Sequence, residues 1–313
     1  MQPGLGFVLQ KLRFVSFRSE SFGGQHCSTQ HIPPSPFQMS LINLRTFGRS
    51  GLIVSPLSLS TMIFGTPLGG RPTIFRNAFS TLTSRPVVIL STPPMHAGGR
   101  SEELVGGYIA DRGLPDQLVL TTKFDFSGGP GNPNAGGNGR KNIHCALEGS
   151  PCRLQTDCVD LYWLHVWDMV TPVEEVLQTL GDLMRGGKTR YFGFSDMLAW
   201  YAAKAATLAA AHAVPGLVAM QLAYSLVERS IEYEYVSVAR ECGLGITPWS
   251  PLAAGFPASK YQRDEAWATG EGRLTGPNPF GNTLFTDRNW RVLDALRAVA
   301  AQAERPLAQV ALA

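Results

Sequence analysis

Several short apolar runs in this chain end in side chains that can do chemistry. The run 117–122 leads into Lys123, 159–164 into His165, and 189–194 into Ser195-Asp196. Farther on, 216–222 carries Gln221 near its end with Tyr224 just beyond, and 245–249 leads into Ser250-Pro251-Leu252. A histidine titrates at about pH 6.5 and serves as acid or base near neutrality, and a lysine supplies a positive charge. Hydroxyl, carboxylate and amide side chains hold a polar ligand in place. Apolar runs of this length, bounded by polar residues and prolines, read as buried strands. The C-terminal ends of such strands are where α/β barrels place their chemistry. Several polar groups converging on one face outweigh any one of them read as surface decoration.

The positioning elements follow from periodicity. A β-hairpin is expected over 41–55, turning at Gly48-Arg49-Ser50-Gly51, as a four-residue loop between apolar arms suggests. A first buried strand follows at 56–62. Then helices at 100–112, 140–153, 173–185, 198–212 and 230–242 alternate with strands at 117–122, 159–165, 189–195, 216–222 and 245–249. Gly113 and Gly186-Gly187 stand where helices stop, and Pro172 stands where one starts. Alternation of this kind means βα units and a parallel sheet. With no dinucleotide fingerprint near the first strand, the expected fold is α/β, a (β/α)8 TIM barrel with an N-terminal β-hairpin.

That barrel is expected to be incomplete. Helices at 287–303 and 307–313 bring the sequence to its last residue, so the eighth strand and the last helix are missing. The would-be second strand, 87–90, runs into Ser91-Thr92-Pro93-Pro94, and 71–84 lacks a helical apolar stripe. Pro151 falls inside an otherwise helical stretch, where it costs about 3 kcal/mol. Residues 1–38, with Lys11, Arg13 and Arg18 against Glu20 and a Pro-rich end, read as a disordered or spurious extension. Either they are a transit-like segment or Met39 is the true first residue, the reading we favour. The barrel domain then occupies 39–313.

Composition narrows the class. At 313 residues, 44% apolar and 16% charged, the chain is ordinary for a globular domain, and a net charge of +3 is too small to argue for nucleic acid. No apolar stretch is long enough for a membrane helix. Five cysteines at irregular spacing include no C-x-x-C pair, so they are expected as free thiols in a reducing, cytoplasmic setting with no metal.

Taken together, the motifs resemble the aldo-keto reductase superfamily. They are Gly48-Arg49-Ser50-Gly51 with Val54-Ser55-Pro56, Arg100-Ser101-Glu102-Glu103, Thr122-Lys123, the stretches 157–165 and 187–195, Gln221 with 224–229, and 249–252 with Gly255. The resemblance runs from about residue 44 to 313, leaving out 67–97. It implies hydride transfer from NADPH to a small aldehyde or ketone, with Asp, Tyr, Lys and His at the chemistry. The tyrosine donates a proton once a nearby cation has lowered its pKa. Lys123 matches that cation, and His165 matches the histidine that orients the carbonyl. Tyr224 matches the ring on which nicotinamide stacks, while Ser195, Asp196 and Gln221 match the groups that bond its carboxamide. Ser250, Leu252, Gly255 and Lys260 fall on the loop that covers the pyrophosphate. The family's habit favours NADP over NAD.

One departure bears on activity. The family's Asp-Thr-Ala-(Asp/Glu)-x-Tyr motif should occupy 91–96, and this chain has Ser91-Thr92-Pro93-Pro94-Met95-His96. The aspartate and tyrosine are absent, and His96 stands in the tyrosine's place. Residues 90–96 can be encoded so that a one-base shift reads Val-Asp-Thr-Ala-Asp-Ala, which points to a stretch of roughly 70–96 translated out of frame. His96 could serve as proton donor, but imidazole is shorter than phenol, and misplacement by 1 Å loses about a hundredfold in rate. The expectation is an NADP-dependent reductase impaired in this chain. The alternatives are a non-catalytic nucleotide-binding relative and a non-functional fragment.

Overall fold

The computed structural model describes residues 9–11, 43–62, 64, 89–92, 99–124, 131–258, 260–263, 268–269, 274 and 283–313. His96 and all of 67–97 except Ile89–Thr92 lie outside them. Seven parallel strands follow one another around a curled sheet: β4 (Leu57–Ser60), β5 (Ile89–Thr92), β6 (Val119–Phe124), β7 (Val159–Leu164), β8 (Thr189–Ser195), β9 (Ala219–Ala223) and β10 (Gly245–Trp249). Helices α1 (Arg100–Arg112), α2 (Arg140–Leu154), α3 (Val173–Arg185), α4 (Ala199–Ala211) and α5 (Tyr235–Cys242) pack one against the next around the outside. This is a partial (β/α)8 barrel. Within the N-terminal stretch, β1 (Leu9–Lys11) pairs antiparallel with β4, Leu9 opposite Leu59, and lies beside β10.

Strand register sorts the side chains between lumen and helices. Thr121 pairs with Leu161, Lys123 with Trp163, Leu161 with Tyr191, Trp163 with Gly193, Ser195 with Gln221, and Gln221 with Thr247. All of these are odd-numbered and share the lumenal face. The even-numbered Leu120, Phe124, Tyr162, Leu164, Phe192, Phe194, Met220 and Leu222 are buried in the main core with the helices. At Gly193 the lumen is full: a Cβ there would come within 2.5 Å of the Trp163 ring and 2.8 Å of the Ala219 carbonyl oxygen.

The hairpin is shorter than expected, β2 (Arg45–Thr46) paired with β3 (Ile53–Val54). Its turn closes through Phe47 N–H to Leu52 O at 2.8 Å. Phe47 and Val54 are buried against Val119, Leu161, Trp163 and Ala219, so the hairpin seals the barrel at the end where the strands begin. Other expectations need correcting: the first buried strand, placed at 56–62, is Leu57–Ser60, and the strand placed at 216–222 is Ala219–Ala223. The strand placed at 117–122 starts at Val119, because Pro115–Gln117 form a 3-10 turn. The second strand, placed at 87–90, extends to Thr92 and is described over Ile89–Thr92, in register between β4 and β6, while 87 and 88 lie outside the described residues. The helix placed at 230–242 is a 3-10 turn, Ser230–Glu232, followed by α5. Pro151 does sit inside α2, in its last turn, where its carbonyl accepts the N–H of Thr156 at 3.1 Å.

Candidate active site

The strand ends bring the sequence-derived residues to one end of the barrel. Lys123, Ser195 and Gln221 are buried on the lumenal face near the C-terminal ends of β6, β8 and β9. His165 follows β7 directly, its N–H bonded to Phe124 O at 3.2 Å. Beneath them lie Thr121, Trp163 and Thr247; the indole N–H of Trp163 and the Thr247 hydroxyl are buried without a hydrogen-bond partner.

Asp196 is held in the left-handed region (φ 48°), its N–H on Gln221 O at 3.0 Å. The residue as a whole is exposed, but its carboxyl accepts from Trp249 Nε1 at 2.9 Å and Ser195 Oγ at 3.3 Å. Desolvation pushes this carboxyl above the usual aspartate range, opposed by the Trp249 hydrogen bond, by the charges of Lys123 and His165, and by Ser195. Lys123, His165 and Asp196 therefore sense one another across the barrel mouth. Tyr224 stands beside them, half-buried, its N–H on Trp249 O at 3.3 Å and its hydroxyl on Glu232.

The segment 250–255 is unusual in its backbone. Ser250, Ala253 and Ala254 have φ of 50°, 40° and 56°, and Gly255 has 96°. Such strain gathers at functional loops. The turn is held by Ala253 N–H to Ser250 O and Gly255 N–H to Leu252 O, both 2.7 Å. Below it, Phe256, Tyr261 and Trp290 form a separate apolar cluster, with the Tyr261 hydroxyl on Ala254 O at 3.0 Å. The stem of Lys260 lies across Gly255, where a Cβ would come within 2.7 Å of it. Trp290 belongs to helix α6 (Asp287–Gln302), which is followed by α7 (Leu307–Leu312).

Sequence reasoning missed three features. Asp168, after β7, accepts hydrogen bonds from Asn138 N–H, Val170 N–H, Thr171 N–H and Thr171 Oγ1 and ties the loop before α2 to the loop before α3. Val166, Met169, Val170, Leu198 and Trp200 expose apolar surface at the ends of β7 and β8, Met169 and Val170 at 80% and 82%. An open cavity of about 760 Å³ lies among Cys152, Cys158, Lys188 and Arg190, where β7 and β8 begin, away from the strand-end residues. Asx-type spacing at Asp168 was the one signal available beforehand. Among the described residues no group of His, Cys, Asp and Glu is placed to hold a metal ion, and no helix is long and apolar enough to cross a membrane.

Lysine, histidine, amide and hydroxyl groups on adjoining strand ends of a partial barrel make this end the candidate active site, and the comparisons supply the family. The model for the aldo/keto reductase family matches residues 92–313, and the chain belongs to that family. It is 31% identical over 292 residues to an aryl-alcohol dehydrogenase of Pestalotiopsis microspora, covering 90% of this chain and 73% of the relative. It is 31% identical over 259 residues to a norsolorinic acid reductase of Aspergillus flavus, covering 79% and 65%. It is 32% identical over 272 residues to a protein of Oryza sativa subsp. japonica described as a probable voltage-gated potassium channel subunit beta, covering 86% and 82%. The chain thus spans less than two thirds of the second relative's length.

Proposed function

We propose that this barrel binds NADPH at its strand-end mouth and is built to reduce aldehydes and ketones, and that the reduction is crippled in the chain as written. What carries the reading is the convergence of Lys123, His165, Ser195, Asp196, Gln221 and Tyr224 from successive strands on one end of the barrel. The donor set suits the cofactor. Ser195, Asp196 and Gln221 offer both the acceptors and the donors that a carboxamide needs, Tyr224 presents a half-buried ring, and Lys260 lies over the strained turn 250–255 with a charge for the phosphates. The bound nucleotide would supply the hydride. Lys123 and His165 would polarise the carbonyl oxygen. The apolar rim at Val166, Met169, Leu198 and Trp200 suits aromatic carbonyl compounds, in keeping with the names of the first two relatives.

The proton is the step that fails. Residues 91–96 hold neither the aspartate nor the tyrosine, and general acid catalysis is worth about 10²–10⁴-fold. NADPH fluorescence should therefore show saturable binding, with nitrobenzaldehyde reduction at background. The combined change Ser91→Asp, Pro93→Ala, Pro94→Asp, Met95→Ala and His96→Tyr should raise turnover by at least about a hundredfold. Absence of NADPH binding overturns the reading. Turnover by the unrepaired chain that His96→Ala abolishes would make His96 the acid. The lost Asp-Tyr pair also favours a second reading, a nucleotide-binding protein that does no chemistry; binding without turnover in the repaired chain would select it.

A further inference from the structure

Tyr224 is anchored from outside the mouth. Its hydroxyl donates to Glu232 Oε1, and the same carboxylate receives Arg229 Nε at 3.1 Å and Nη2 at 2.9 Å. The turn carrying these residues is locked by its own side chains. Ser225 Oγ accepts the N–H groups of Val227 and Glu228 at 3.2 and 3.1 Å, and Ser225 N–H reaches Glu228 O at 2.9 Å. Glu228 in turn accepts both the N–H and the hydroxyl of Ser230.

A half-exposed ion pair adds little stability, so stability does not account for this arrangement. What a bidentate guanidinium does supply is direction. With Arg229 engaging both oxygens of Glu232, the carboxylate faces the phenol in a fixed orientation. The ring of Tyr224 is then held at two points, its backbone at the end of β9 and its hydroxyl on the 3-10 turn. A ring held this way meets a ligand without first losing rotamer freedom.

We propose that Glu232, aligned by Arg229, is a positioning residue that sets the tilt of the Tyr224 ring for stacking against nicotinamide. This rests on the cofactor reading given above. Glu232→Ala should weaken NADPH binding about fivefold, the worth of one net hydrogen bond. Tyr224→Phe, which keeps the ring and removes the tether, should do the same, and the double variant should be no worse than either. Glu232→Gln, still an acceptor, should restore most of the affinity.

A 3-fluorotyrosine placed at 224 gives a readout free of the cofactor. Its ¹⁹F line should lie away from the free amino acid in the unmodified chain and move toward it in Glu232→Ala, with the circular dichroism unchanged. Apo spectra indifferent to Glu232→Ala overturn the tether. Affinity unchanged in both Glu232→Ala and Tyr224→Phe overturns the positioning role. NADPH that leaves the 224 line of the unmodified chain untouched overturns the cofactor reading, and this role with it, whatever the apo spectra show.

Discussion

Two aspartates stand at the C-terminal ends of neighbouring strands and have opposite surroundings. Asp168, after β7, would be raised by its partial burial, but the hydrogen bonds from Thr171, Asn138 and Val170 override this and hold it below the usual carboxylate range. Asp196, after β8, is raised, since desolvation there outweighs Trp249, Lys123, His165 and Ser195. The loop after β7 uses its carboxylate as a joint between segments. The loop after β8 leaves its carboxylate desolvated beside a lysine and a histidine, an arrangement that makes it a functional-site candidate. The same residue type is held in its charged form where backbone N–H groups converge on it and pushed toward its neutral form where desolvation outweighs its partners.

The largest expected effect breaks the first half of this contrast. In Asp168→Asn an amide NH₂ faces groups that are themselves donors, at a cost of about 2 kcal/mol after allowing for partial exposure. The sign follows from linkage. A folded-state pKa below the unfolded value gives stability that is present above the unfolded pKa and is lost as pH falls through the folded one. Urea unfolding should therefore separate variant from parent at pH 7 and bring them together under strongly acid conditions. A constant gap would refute the charge-based account.

The difference between these aspartates also shows what a sequence can and cannot display. Helices α1 and α3 and strands β8 and β10 occupy the residues that periodicity assigned them, because each boundary is local. Gly113 and Gly187 take positive φ after the two helices, and Pro172 caps α3. Lys123 and His165 were legible for the same reason, since strand ends follow from apolar runs. The 3-10 turn at Ser230–Glu232 was not legible, because the Glu228 carboxylate accepts the Ser230 N–H and Ser237 Oγ donates to the Glu234 carbonyl, side-chain bonds that compete with a continuous helix. Nor was β5, whose bounds come from pairing with β4 and β6. The bonds of Trp249 to Asp196 and of Asn138 to Asp168 join residues 53 and 30 positions apart, and no spacing rule reaches that far.

A smaller effect of opposite sign is expected at Asp196. Its folded pKa lies above the unfolded value, so its contribution is favourable below the unfolded pKa and is lost as pH rises through the folded one. Asp196→Asn removes the poorly solvated charge. At pH 7 the variant should equal the parent or exceed it by less than about 1 kcal/mol, with the gap closing on acidification. A clear loss at pH 7 would mean that attraction to Lys123 and His165 outweighs desolvation.

The smallest effect sharpens the same point. Trp249 Nε1 supplies the first of the contributions that restrain the upward shift of Asp196. Trp249→Phe keeps an aromatic ring at the end of β10 and deletes that donor. The carboxylate then loses a bond that favoured its charged form, so its pKa should climb further, read from the ¹³C titration of the Asp196 carboxyl. The two substitutions should also couple. With the donor gone, the ionised Asp196 is more costly to fold, and Asp196→Asn should gain more stability in the Trp249→Phe background than in the parent. Strict additivity would show that the indole N–H and the carboxyl do not act on each other, and that the raised pKa of Asp196 owes its restraint to Lys123, His165 and Ser195.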